Sequence, residues 1–248
     1  MTENGGSPMD DMALGMRDMF GRSTRHLQMI AENLANSSTP GYRAGSVMTE
    51  PVSPFDRILN RHVTAETERD ATDLTPGAVR MTDRPLDFSI NGDGFFVVRS
   101  DKGEYLTRNG SFEQGADGVL RTAAGHAVVD ANGDVMSIPD GVRQDQIQVG
   151  EDGVLRAGDR RLGTFRLDRV ASERDLERVG TALFTAPEAR REPAESSRIL
   201  GRTLETSNTV VFQELSNMML LSRTVEALQR AQSNQDQSQR KMMDVLAS

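Results

Sequence analysis

The sequence predicts an α+β protein in which terminal helices pair as a coiled-coil layer and an antiparallel, β-rich domain is inserted between them. Three observations predict it: heptad-like apolar stripes near both ends, a turn-rich middle of short apolar runs, and no glycine or proline after Gly201. At 248 residues the chain is long enough to bury a substantial core.

The first helix opens at Ser7-Pro8-Met9-Asp10, where serine can cap, proline fits the first helical position and the aspartate lies three beyond the cap. Met9, Ala13, Met16, Phe20, Ser23, Leu27, Ile30 and Leu34 recur at alternating intervals of four and three, one stripe of a helix. Thr39-Pro40-Gly41 ends it, because proline disfavours helical geometry in the preceding residue. The helix therefore spans roughly residues 8 to 37.

No sustained period runs from Gly41 to Arg84, and the charged tract AETERDATD at 65–73 is poor in β-formers, so an extended connector with short ordered pieces is expected. From Pro85 to about Pro187, runs such as Phe95-Phe96-Val97-Val98 alternate with Asn-Gly at 91, 109 and 132 and Asp-Gly at 93, 117, 140 and 152. These dipeptides tolerate the positive φ of hairpin turns and predict a β-rich domain. DGVL at 117–120 and again at 152–155 is turn chemistry, too short to be a repeat.

Val211, Leu215, Met218, Leu221, Val225 and Leu228 carry near-heptad spacing into a long helix. The stripe continues through Gln232, Gln235 and Gln239 before Met242 and Leu246, so it is interrupted by polar residues. A helix from about 208 to 247 is on the order of 60 Å long, too long to lie on a domain of ~100 residues without overhanging it. The two terminal helices are expected to pair and to leave apolar and glutamine-rich edges for neighbouring chains. The chain then divides into an N-terminal helix (1–41), a connector (42–84), the β-rich domain (85–190) and a C-terminal linker and helix (191–248).

Composition excludes several classes of function. The 37 acidic residues outnumber the 29 basic ones, and a net charge of −8 argues against a nucleic-acid partner. Cysteine is absent, which removes disulfides, thiolate metal sites and thiol catalysis. No run approaches the ~20 apolar residues of a membrane helix, so no membrane insertion is expected, and no secretory signal of the usual pattern is visible.

The residues supply no catalytic constellation. His26, His62 and His126 are scattered, no G-x-S-x-G elbow occurs, and the acidic residues read as a solvated surface. DANGD at 130–134 has the alternating oxygens of a calcium loop, but Val135 and Gly141 fall where its turn glycine and closing glutamate belong. NGDG at 91–94 lacks the third glycine and following helix of a phosphate-binding loop. No enzyme activity, cofactor, metal or small-molecule substrate is expected. The 13 methionines suit core packing, and several lie on the stripes, where unbranched side chains adapt to more than one neighbour.

Four segments, in order, resemble the axial proteins of the bacterial flagellar rod and hook: AENLANSSTPGYR at 31–43, RPLDFSINGDGFFVV at 84–98, YLTRNGSF at 105–112 and LETSNTVVFQELSNMM at 204–219. The short connector between Tyr42 and Pro85, DLTPGAVRMTDRPLDF and the IPDG turn at 138–141 look most like proximal rod members. Departures are Ser222-Arg223-Thr224-Val225-Glu226, where relatives often carry an aromatic before the glutamate, and Val210 in place of a frequent aspartate.

The resemblance implies a structural subunit of the basal-body rod, the periplasmic shaft that transmits torque, exported through the flagellar type III apparatus without a cleavable signal. Its implied partners are other rod proteins and copies of itself. The implied assembly residues are Leu27, Ile30, Asn33, Leu34, Asn36, Pro40 and Gly41 in the first segment. In the last they are Ser207, Asn208, Leu215, Met218, Leu221 and Val225. Asn33 and Asn36 either cap the helix end or fix helix register between protomers. A distal rod or hook-type protein, or a secreted carbohydrate-binding β-domain, is the alternative; two tyrosines and no tryptophan weigh against a sugar binder.

Overall fold

A computed structural model describes residues 8–51, 66–194 and 196–246. The chain forms two compact units: one holds both long helices, the other spans Asn36–Thr209. The helices are α1 (Pro8–Ala35) and α2 (Val211–Leu246).

Strands in the first half of the larger unit are β1 (Gly45–Pro51), β2 (Glu66–Thr72), β3 (Val79–Met81), β4 (Phe88–Asn91), β5 (Phe95–Ser100), β6 (Gly103–Thr107), β7 (Phe112–Gln114), β8 (Leu120–Thr122) and β9 (Ala127–Val128). The second half adds β10 (Ile147–Val149), β11 (Val154–Ala157), β12 (Arg160–Thr164), β13 (Leu167–Val170), β14 (Glu177–Arg178), β15 (Leu183–Thr185), β16 (Arg191–Pro193), β17 (Arg198–Gly201) and β18 (Thr203–Glu205). All their pairings are antiparallel.

The largest sheet runs β14-β15-β6-β5-β9-β8-β7, with β13 pairing both β5 and β16. Strand β5 explains the unbroken run Phe95-Phe96-Val97-Val98, because both of its faces are covered. Phe96 and Val98 join a core with Phe88, Phe112 and Phe165, while Phe95 and Val97 face a second core with Leu106, Val129 and Phe184. Rings in the first core lie 4.9 Å (Phe88–Phe165), 5.3 Å (Phe96–Phe112) and 5.5 Å (Phe96–Phe165) apart between centroids, within the range of favourable tilted contacts.

The segment read as a connector is more ordered than its composition suggests. β1 pairs β2 in continuous register from Gly45 opposite Thr72 to Pro51 opposite Glu66. β3 pairs β18, and β4 pairs β17, so the chain entering the β-domain is stitched to the chain leaving it. Pairing satisfies the backbone of a tract whose side chains disfavour strands; local propensity yields to tertiary context.

Candidate functional site

In the helical unit, the predicted stripe of α1 is the face that turns inward: Met16, Phe20, Leu27 and Leu34 are half-buried, and Ser23, Ile30 and Asn33 are buried. On α2 the half-buried positions are Glu214, Met218, Leu221, Ser222, Val225 and Leu228. Leu215 lies on the exposed side instead. The reason is polar: Asn33, 1% exposed, donates from Nδ2 to Glu214 Oε1 at 2.7 Å, which brings position 214 into the seam.

That rotation leaves an apolar face on the first turns of α2. Phe212 is 85% exposed, Met219 64% and Leu220 70%, with Val211 and Leu215 also exposed. Phe212, Leu215 and Met219 follow the three–four spacing of one helix face. Among its residues with described side chains α2 has none that is fully buried, so the helical unit by itself holds little core.

In the larger unit, the residues that follow α1 and precede α2 meet at a junction. Pro40 and Asn36 are half-buried beside buried Gly41, and the Thr39 hydroxyl donates to Asn36 Oδ1 at 3.3 Å. Gly41 has φ +65°, and a Cβ there would stand 2.3 Å from the Arg108 carbonyl carbon. Its N–H donates to the Glu205 carbonyl at 2.8 Å. Asn208 accepts from the Ala44 N–H through Oδ1 at 2.7 Å and donates through Nδ2 to the carbonyls of Asp73 (2.9 Å) and Thr75 (3.1 Å). The Ser207 hydroxyl donates locally to Thr209 Oγ1 at 2.9 Å.

At the centre of this junction lies a charge triad that spacing did not reveal. Arg43 Nη1 approaches Glu205 Oε1 at 2.5 Å, and both side chains are 1% exposed. Arg108 Nη1 lies 3.4 Å from Glu205 Oε2, and Arg108 Nη2 donates to the Gly92 carbonyl at 2.8 Å. Burial pushes the Arg108 guanidinium below its ordinary range; Glu205 opposes that and Arg43 adds to it. Arg178 covers the outside, with its guanidinium 5.1 Å from the Tyr42 ring centroid and 5.0 Å from that of Phe184, and it donates to the Arg43 carbonyl at 2.5 Å. The segments TPGYR, YLTRNGSF and LETSN contribute one triad charge each.

Several other candidates are engaged locally. His26 is exposed on α1, His126 stacks on Tyr105 at 6.0 Å, and His62 lies outside the described residues. Asp130 Oδ1 accepts the backbone N–H groups of Asn132 and Asp134, both at 2.9 Å, so the DANGD carboxylate closes its own turn. Gly92 and Gly94 adopt φ of +120° and +129°, as the NGDG turn requires. A groove of about 740 Å³ is lined by Arg166, Asp168, Arg198 and Glu151, and these charges pair with one another at 2.9 and 2.7 Å. Among the described residues no group of three or more His, Cys, Asp or Glu side chains could hold a metal, and no helix is long and apolar enough to cross a membrane.

Comparison with known proteins places these features in context. Residues 89–157 match the flagellar hook protein FlgE/F/G D1 domain. The flagellar basal-body rod protein FlgF of Salmonella typhimurium is 31% identical over 235 residues, covering 88% of this chain and 90% of that protein. FlgF of Caulobacter vibrioides is 30% identical over 220 residues, 85% of this chain and 87% of its own length. The basal-body rod protein FlgG of Buchnera aphidicola is 28% identical over 246 residues, 88% and 92% of the two chains.

Proposed function

Because the chain belongs to the flagellar basal-body rod protein family, we propose that it is a structural, non-enzymatic subunit of the rod, of proximal type, assembled through its helical unit. The observation that carries this reading is the unpartnered face formed by Phe212, Leu215, Met219 and Leu220. An apolar patch of this kind on a protein bathed in water marks an interaction surface.

On this reading the stripes do two tasks. Leu27, Ile30, Leu34, Met218, Leu221 and Val225 hold α1 and α2 as a coiled-coil pair, while Leu215 and its exposed neighbours meet other rod subunits and further copies of the chain. Asn36, Pro40, Gly41, Ser207 and Asn208 fix where the two ends leave the β-rich domain. The pair contributes to an inner layer and the β-domain to an outer one. Export through the flagellar type III channel accompanies this reading, and the rod would place the protein in the periplasmic part of the basal body.

Swimming assays on Phe212→Asp and Met219→Asp in the native host test the proposal. A carboxylate on an assembly face must be desolvated without a partner. Loss of motility with an unchanged β-domain fold is expected. Normal swimming by both variants would remove this face from assembly.

A further inference from the structure

Arg43, Arg108 and Glu205 form a buried group with two positive charges and one negative charge. The Glu205 carboxylate is fully engaged, since it also accepts the Gly77 N–H at 2.9 Å. Arg108 has outlets in the carbonyls of Gly92 (2.8 Å) and Ile90 (3.4 Å). Arg43 has no such outlets: apart from the charge contact of Nη1 with Glu205, its guanidinium meets no acceptor, and Arg108 Nε lacks one as well.

A buried donor without an acceptor costs free energy that water returns as soon as the group is exposed. The closed junction therefore carries an unfavourable element concentrated at Arg43, balanced by the Glu205 charge. Glu205 also touches every part of the junction. Its carbonyl accepts from Gly41 and its carboxylate faces Arg43 in the segment after α1, it lies itself in the segment before α2, and it meets Arg108 and Gly77 of the domain.

We propose that Arg43, Glu205 and Arg108 are a two-state clasp that fastens the segment after α1 and the segment before α2 to the β-domain and releases both together. Hydration of the three charges favours the open state; charge pairing and the close fit of Gly41 on Arg108 favour the closed one. Of the three, Arg108 lies over the Phe95 ring at 5.3 Å, and the clasp opens while the two apolar cores stay packed. A subunit built this way can loosen both chain ends in a single step and keep its folded centre.

Amide hydrogen exchange on the full-length chain tests the clasp with two substitutions of opposite expected sign. Glu205→Gln leaves two buried guanidinium groups without a counter-charge, and exchange at residues 41–44 and 204–207 should accelerate together by about tenfold or more while β5 is unchanged. Arg43→Met removes most of the unsatisfied donors, Arg108 Nε remaining, and leaves one cation facing one anion, so exchange of both segments should slow or stay as it is. Acceleration of one segment alone in Glu205→Gln would overturn the proposal. So would acceleration in Arg43→Met, because that is how a simple stabilising staple behaves; this second variant decides the matter if Glu205→Gln does not fold.

Discussion

Asn33 and Glu214, 181 residues apart in sequence, meet through one hydrogen bond of 2.7 Å between the amide of α1 and the carboxylate of α2. A polar pair inside an apolar seam contributes little net affinity but penalises every other alignment, since a slip of one turn leaves a buried amide and a carboxylate unpaired. In isolated basal bodies, where neighbouring subunits would hold both helices, Asn33→Ala should therefore raise exchange in the last turns of α1 and the first turns of α2 together, by about tenfold, equivalent to ~1.4 kcal/mol. A response confined to one helix would mean that the bond does not set the register.

In the free subunit the helices should be far less protected than the β-domain. α2 has no fully buried residue among those with described side chains, whereas β5 is covered on both faces. Ordering a residue costs ~1–2 kcal/mol of conformational entropy, which so thin a seam hardly offsets. Exchange at 8–37 and 208–247 in a verified monomer is expected to be rapid, with protection inside 86–187. Strong protection of both helices would show that they satisfy each other without neighbours.

Gly41 tolerates no side chain. Its φ of +65° is strained for other residues, and a Cβ would lie 2.3 Å from the Arg108 backbone. Gly41→Ala should destabilise the β-domain by about 2 kcal/mol or more, read as a lowered denaturation midpoint. An unchanged midpoint would mean that the junction is not tightly closed.

Acid should weaken the β-domain partly through Glu104. Burial raises its proton affinity, but the Arg99 hydrogen bond at 2.7 Å and the charges of Arg166, Arg99 and Arg191 outweigh that and hold the carboxyl below the usual glutamate range. A lowered folded-state value means stability that is fully present above the unfolded-state value and is lost as pH falls through the folded-state one. Glu104→Gln should flatten the stability profile between neutral and strongly acidic pH. Parallel profiles for the two proteins would contradict this.

The sequence carried the parts of the fold that depend on local pattern. The stripe from Met16 to Leu34 and the turns at Asn-Gly and Asp-Gly stand where spacing puts them, except Asn109-Gly110, whose glycine has no positive φ and which joins two strands that do not pair. The run at Phe95–Val98 marked a strand, but only the second core explains why it does not alternate. The hairpin of β1 and β2 was illegible, because Glu66–Thr72 becomes a strand through its partner and not through its composition. At its start the half-buried side of α2 runs through Glu214 and not Leu215, since heptad spacing cannot foresee that a buried asparagine draws in Glu214. Arg43, Arg108 and Glu205 sat inside recognised segments, yet their convergence is a matter of topology.

Cross-linking in isolated basal bodies tests the central claim most directly. A photoactivatable residue placed at Phe212 should be captured by neighbouring rod subunits when the chain is in the basal body, and the same probe at Lys102 in the turn between β5 and β6 should not give the same products. Capture from Phe212 only within its own chain, or a chain absent from purified basal bodies, would contradict a rod subunit assembled through its helical face.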